Sequence, residues 1–222
     1  MPQVLVFDVN ETLLDLHALD SEFERVFGDK RVLEMWFRQF IENALLSIIS
    51  DVYEPFGVIG GGALEQVAAR LKIPMHTDDK TRILSGIKTL PPHPEVPSAL
   101  ERLRDAGFRL CTLTNSTQAV ADAQLTNAGL APLFERVLSA DAVKRLKPAP
   151  APYVYAAHEM NAPIGDTRLI AAHAWDVTGA QRAGAAAAFV ARPGMALDPL
   201  APQPDIVGND LAEVAERIIA QG

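Results

Sequence analysis

Short unbroken apolar runs alternate along most of the chain with stretches whose apolar residues recur at helical spacing. The first run is Val4-Leu5-Val6-Phe7, and similar runs follow at 108–113, 136–139, 168–171 and 186–190. Helical patterns fall between them at 96–106, 117–128, 152–160 and 176–183, with a last one at about 210–220. Apolar runs without polar alternation read as strands buried on both faces, and so as a parallel sheet covered by helices. Gly107, Gly129 and Gly184 stand where three of the helices should end. The stretch 15–90 breaks this rhythm. It carries helical patterns at 18–28, 31–50, 62–71 and 78–88 and no buried strand, and Gly60-Gly61-Gly62 reads as a flexible break within it. The pattern predicts an α/β core made of 1–14 and 91–222, with a helical cap, 15–90, inserted after the first strand. The Pro-rich 192–205 reads as a loop.

The polar residues at the ends of the runs are the informative ones. Asp8 ends the first strand, Thr114-Asn115 end the second, Lys147-Pro148 precede the helix at 152, and Asp176 lies a few residues past the strand at 168–171. In a parallel sheet these points share the carboxyl edge, where α/β proteins bind their ligands. A carboxylate, a hydroxyl with an amide, an ammonium and a second carboxylate therefore converge, and the inserted helices fall over them.

Bulk properties narrow the options. The 222 residues are 49% hydrophobic and 22% charged, ordinary for a globular protein. A net charge of −8 argues against nucleic acid and acidic membranes as partners, and an anionic substrate would need local cations. The single Cys111 lies in an apolar run, which predicts a buried inert thiol and fits a reducing cytoplasm. No run approaches the roughly 18 apolar residues of a membrane span, and no basic-then-apolar leader is seen.

The segments "FDVNETLLD" (7–15), "WFRQF" (36–40), "LTNST" (113–117), "LKPAPAPYVY" (146–155) and "AAHAWDVTGA" (171–180), in this order, resemble the haloacid dehalogenase superfamily, and more narrowly its L-2-haloacid dehalogenase branch. The resemblance spans essentially the whole chain. It implies a Rossmann-like core with a helical cap, and metal-independent, cofactor-free hydrolysis of short 2-haloalkanoic acids to 2-hydroxy acids by a cytoplasmic enzyme, with a homodimer expected. It also assigns roles. Asp8 would attack C2 and form an aspartyl ester, Lys147 would keep Asp8 ionised, and Thr12, Thr114 and Asn115 would hydrogen-bond the carboxylates. Asp176 would position or deprotonate the hydrolytic water, and Tyr153 would support it. Arg38, with Gln39 beside it, would receive the halide, and Asn10, His173 and Trp175 would line the substrate pocket.

Asn10 carries a chemical argument of its own. Superfamily phosphatases place an acid at this position to protonate an alkoxide, whereas a halide leaves as a weak base and needs no proton. Likewise, a lone acid in "AAHAWD" supplies a hard six-coordinate Mg²⁺ site poorly. Three positions depart from the branch pattern: Asn10 stands where Tyr is common, "AAHAWD" replaces Ser-Ser-Asn-x-x-Asp, and Thr114 replaces Ser. His17, His76, His93 and His158 show no metal-ligand spacing. Two other readings stay open on the sequence: a Mg²⁺-dependent phosphatase of the superfamily, and a non-enzymatic binding protein on the same fold.

Overall fold

The structure, a computed structural model, describes residues 2–221. Six parallel strands form one sheet: β1 (Val4–Phe7), β2 (Arg109–Thr114), β3 (Arg136–Ser139), β4 (Thr167–Ala171), β5 (Ala186–Val190) and β6 (Ile206–Gly208). Their order is β3-β2-β1-β4-β5-β6. The order reverses between β1 and β4, and this crevice is where an open α/β sheet offers its ligand site. Phe7 is in register with Thr112 on one side and Ile170 on the other. Asp8 is thus the first residue past the pairing, and its amide still donates to the Ile170 carbonyl at 3.1 Å.

Strand side chains alternate between two apolar layers. Leu5 and Phe7 pack on one face with α5 (Val96–Asp105) and α9 (Leu211–Gln221), through Leu100, Leu103, Val214 and Ile218. Val4 and Val6 pack on the other with α7 (Pro150–Glu159) and α8 (Ala174–Arg182), through Ala156, Val177 and Ala180. Each fully buried Leu, Val or Phe contributes roughly 1.5–3 kcal/mol, so the two layers hold the sheet edge in place. Helix α6 (Gln118–Asn127) follows β2. Gly107, Gly129 and Gly184 have φ of +92°, +70° and +99°, the left-handed conformation that lets the chain turn out of a helix. Cys111 is buried, and desolvation pushes its thiol up to about 12. Among the described residues no helix is long and apolar enough to cross a membrane.

Between β1 and α5 lie α1 (Asp20–Phe27), α2 (Val32–Ile49), α3 (Phe56–Leu71) and α4 (Thr77–Gly86). Their interior is aromatic: Phe23 and Trp36 lie 5.3 Å apart between ring centroids, and Phe40 and Phe56 stack at 4.1 Å. Here the sequence expectation needs correction. Gly60-Gly61-Gly62 is not a flexible break but the middle of α3, which begins six residues earlier than its apolar periodicity suggested. The reason is packing. A Cβ at Gly60 would lie 2.8 Å from the Phe40 ring, and the Gly60 carbonyl accepts the Trp36 Nε1–H at 3.0 Å. A Cβ at Gly61 would meet the Lys80 chain, also at 2.8 Å. A second correction concerns β6, which follows the Pro-rich stretch and was not expected. Three residues are too few to show a pattern.

Candidate active site

Asp8 lies at the floor of a small chamber between the sheet edge and α2–α3. Four elements deliver its partners. The loop after β1 folds back so that Thr12 Oγ1 donates to Asp8 Oδ2 at 2.7 Å, and Thr12 Oγ1 in turn accepts the Ala172 N–H at 2.9 Å. The loop before α7 brings Lys147, whose Nζ donates to Asp8 Oδ1 at 2.9 Å, to Asp176 Oδ2 at 2.7 Å and to the Leu113 carbonyl at 2.7 Å. Asn115, at the end of β2, fixes that loop with both ends of its amide: Oδ1 accepts the Lys147 N–H at 2.7 Å, and Nδ2 donates to the Lys147 carbonyl at 3.2 Å. Helix α8 supplies Asp176 in its first turn, where the helix dipole favours a negative charge. Asp176 Oδ1 accepts the Tyr153 hydroxyl at 2.6 Å.

His173 completes the ring. Its Nδ1 is 3.2 Å from Asp8 Oδ2 and its Nε2 is 2.8 Å from Glu11 Oε2. The imidazole is buried between two aromatic faces, Phe37 at 5.9 Å and Trp175 at 5.2 Å between centroids. Glu11 reaches it from a left-handed backbone conformation, φ +60°, which is uncommon for a residue with a side chain.

Burial sets the charges. Desolvation opposes ionisation of Asp8, but Lys147 and the His173 hydrogen bond outweigh it and hold the carboxyl far below the usual range. Desolvation likewise pulls on Lys147, yet Asp176 and Asp8 raise it further. Burial lifts Asp176, with the nearby Asp8 adding to the effect and Lys147 opposing it. His173 is drawn down by burial and carried up to about 10 by Asp8 and Glu11, so the resting ring is an imidazolium that donates from both nitrogens. The site therefore presents an ionised, desolvated carboxylate fixed by three donors, two of them cationic.

The remaining residues singled out in the sequence divide into two groups. Asn10, Thr114, Asn115, Lys147, His173 and Trp175 line the Asp8 chamber, and Tyr153 stands behind it on Asp176. Arg38 and Gln39 do not enter it. Helix α2 turns Phe37 and Ile41, one helical turn apart, toward the chamber. This rotates Arg38 about 100° away, to an exposed position on an outer groove shared with Glu34, Glu42, His17, His173 and Trp175. Gln39 is buried on the α3 side, donating to Asn43 Oδ1 at 2.9 Å. The groove that carries Arg38 is separated from the Asp8 chamber by Phe37, Ile41, His173 and Trp175, which line both.

The structure also adds residues the sequence did not single out. Glu11 holds His173, and Phe37, Ile41 and Phe56 wall the chamber. Gln124 Nε2 donates to Asn10 Oδ1 at 2.8 Å, which leaves the Asn10 amide nitrogen as the free donor at the wall. Arg192 binds the Thr12 carbonyl at 2.8 Å and Glu95 at 2.6 Å, bracing the loop that carries Thr12. Only the position of Glu11, three residues past a strand-terminal Asp, offered any signal. The free space directly above Asp8 is about 10 Å³, room for roughly one water. An apolar chamber of about 240 Å³ adjoins it through Asn10, Phe37 and Phe56. Among the described residues no cluster of three or more His, Cys, Asp or Glu is arranged to hold a metal ion.

The chain is similar to known proteins over most of its length. Haloacetate dehalogenase H-2 of Moraxella sp. (strain B) is 28% identical over 206 residues, covering 91% of this chain and 92% of its own. (S)-2-haloacid dehalogenase 2 of Pseudomonas sp. (strain CBS-3) is 28% identical over 212 residues, covering 95% and 93%. The L-2-haloacid dehalogenase of Xanthobacter autotrophicus shares the fold, with a TM-score of 0.93 over the whole of both chains at 22% identity. A family model, haloacid dehalogenase-like hydrolase, matches residues 2–184. With most of its length inside that match, this chain belongs to the haloacid dehalogenase-like hydrolases.

Proposed function

We propose that the protein hydrolyses short 2-haloalkanoic acids to 2-hydroxy acids through an ester on Asp8. The observation that carries the reading is the setting of Asp8: buried, and held by Lys147, Thr12 and His173 beneath an apolar wall. A desolvated carboxylate in fixed orientation is a competent nucleophile toward carbon. Asn10 at the neighbouring position has no proton to give, which suits a halide leaving group and not an alkoxide. The relatives named above act on haloacids.

In this reading Asp8 displaces halide from C2, and water then cleaves the ester. Lys147 keeps Asp8 charged and Asp176 and Tyr153 keep Lys147 in place. Thr114, Asn115 and the free amide nitrogen of Asn10 offer polar contacts to the substrate carboxylate, and Trp175 walls the pocket. The helical segment 15–90 serves as a cap. A modest shift of Phe37 and Phe56 joins the space above Asp8 to the larger apolar chamber and admits the substrate's alkyl group. No metal takes part, since both Asp8 oxygens already face N–H and O–H donors, two of them cations. A homodimer belongs to the same reading, supported by Leu46, Ile49 and Val52, which expose apolar surface at the end of α2. The single buried thiol suits a cytoplasmic setting.

The test is halide release from a panel of 2-halo acids, with and without chelator. Steady release in both arms supports the reading. Turnover of a generic phosphate ester that depends on added Mg²⁺, with no halide release, would replace it with the phosphatase reading.

A further inference from the structure

The two cations beside Asp8 have no N–H left for a substrate. The three protons of the Lys147 ammonium go to Asp8, Asp176 and the Leu113 carbonyl, and the two ring nitrogens of His173 face Asp8 and Glu11. The Asn10 amide is different. Its Oδ1 accepts from Gln124, while its Nδ2 has no partner among the described residues, and Asn10 borders both the Asp8 chamber and the larger apolar one. An amide offers a ligand either a donor or an acceptor, according to which way it is turned. The chamber therefore depends on whatever turns Asn10.

A backbone carbonyl sets that direction. Gln124, on α6, is fully buried, and its Nε2 donates both to the Ile87 carbonyl at 2.9 Å and to Asn10 Oδ1 at 2.8 Å. A carbonyl only accepts, so the end of Gln124 that faces Ile87 is the nitrogen, and the Asn10 atom beside that nitrogen is the oxygen. The reference carbonyl is itself held. Ile87 lies in the turn Ile87–Thr89 between α4 and α5, and Asn127, three residues further along α6, donates from Nδ2 to the Lys88 carbonyl at 2.8 Å. The arrangement leaves Gln124 Oε1 buried without a partner among the described residues. An orphaned buried acceptor is costly, and an apolar side chain of similar length would avoid that cost. What the amide provides in return is the orientation of Asn10.

We infer that Gln124 is a positioning residue that sets the specificity of the site: it locks Asn10 as a donor to the substrate carboxylate. The inference rests on the proposed dehalogenase reading and adds a specificity determinant to it. A carboxylate accepts from the Asn10 nitrogen, whereas a turned Asn10 would meet it with an oxygen. The acids around the nucleophile, Asp8, Asp176 and Glu11, outnumber the two cations Lys147 and His173. An entering anion therefore relies on neutral donors fixed in advance, which bind it without first reorganising. Gln124 touches neither substrate nor Asp8, and it acts on binding through Asn10 alone.

The test measures the binding of propionate, which carries the carboxylate and no leaving group, together with chloride release from 2-chloropropionate. Gln124→Glu puts an acceptor of the same size where the donor was, so Asn10 turns its nitrogen toward position 124. Propionate should then bind about tenfold or more weakly, the scale of one lost hydrogen bond to a charged group. KM for 2-chloropropionate should rise in step, with kcat within about twofold, as for loss of uniform binding. Gln124→Met frees Asn10 to turn and should fall between wild type and Gln124→Glu. In an Asn10→Ala background the Gln124→Glu change should cost no further affinity, because no amide is left to turn. If Gln124→Glu does not fold, Gln124→Met takes its place in both backgrounds. Unchanged propionate affinity in a folded variant, an equal loss with and without Asn10, a fall in kcat at constant KM, or no propionate binding by wild type would each overturn the inference. Propionate affinities in the expected order without chloride release from wild type would support it and remove the dehalogenase reading alone.

Discussion

Lys147 Nζ stands 2.7 Å from Asp176 Oδ2, and neither side chain is exposed to solvent. The same ammonium reaches Asp8 at 2.9 Å, so one cation balances two buried carboxylates. Removing it leaves both uncompensated. Lys147→Met should abolish halide release and destabilise the fold by about 3–5 kcal/mol, the usual cost of breaking a buried pair from one side. Urea denaturation checks the second effect. Wild-type stability in this variant would mean that the two acids are solvated or protonated in the native state.

The Asp8–His173 pair makes stability depend on pH from both sides. Asp8 is depressed in the folded protein, so its contribution is present above the ordinary carboxylate value of 3.8 and is lost as the pH falls toward its folded value. His173 is raised from 6.5 to about 10, so its contribution is complete below 6.5 and is lost as the pH climbs through about 10. Denaturation midpoints should therefore be flat between these limits and fall on the alkaline side. His173→Gln should flatten the alkaline fall. An unchanged alkaline profile would place its origin elsewhere.

Phe37 walls the Asp8 chamber while Arg38 lies on the outer groove. A charge on such a rim acts on encounter and not on chemistry. Arg38→Ala should leave kcat within about twofold and raise KM for an anionic substrate, with the difference shrinking as salt is added. Phe37→Ala should lower kcat, because it unseats His173. A large loss of kcat in Arg38→Ala would show that α2 turns Arg38 inward when substrate binds.

The three consecutive glycines separate two kinds of helix position. A methyl at Gly60 would strike Phe40 at 2.8 Å, whereas a methyl at Gly62 meets nothing within 4 Å. Gly60→Ala should destabilise by about 1–3 kcal/mol through overpacking. Gly62→Ala should stabilise by about 0.5–1 kcal/mol through helix propensity. Thermal denaturation of the two variants should move in opposite directions. A shared direction would contradict the packing of α3 against α2.

What could be read before the fold was known follows from the range of each signal. The runs ending at Asp8 and Thr114 report strand and site together, because burial on both faces and a polar end are properties of adjacent residues. The turn glycines 107, 129 and 184 are equally local. Lys147, Thr12 and His173 could be named, but their contacts close over many residues: 139 between Lys147 and Asp8, and 165 between His173 and Asp8. Gln124, which fixes Asn10 from 114 residues away, had no local mark at all. Which residue of 36–40 faces Asp8 had no local mark either. One residue along a helix turns a side chain by about 100°, and the aromatic interior that sets the rotation of α2 comes from Phe23 and Phe56 on other helices.

Direct attack by Asp8 is the central claim, and the path of oxygen tests it. In a single turnover in ¹⁸O-water with enzyme in excess over 2-chloropropionate, the hydroxyl oxygen of the product comes from Asp8 and water replaces it on the enzyme. The account predicts lactate without label and ¹⁸O in the peptide containing Asp8, with inversion at C2. Labelled lactate from the first turnover together with an unlabelled Asp8 peptide would contradict it, and would leave Asp8 as a base for water attacking C2.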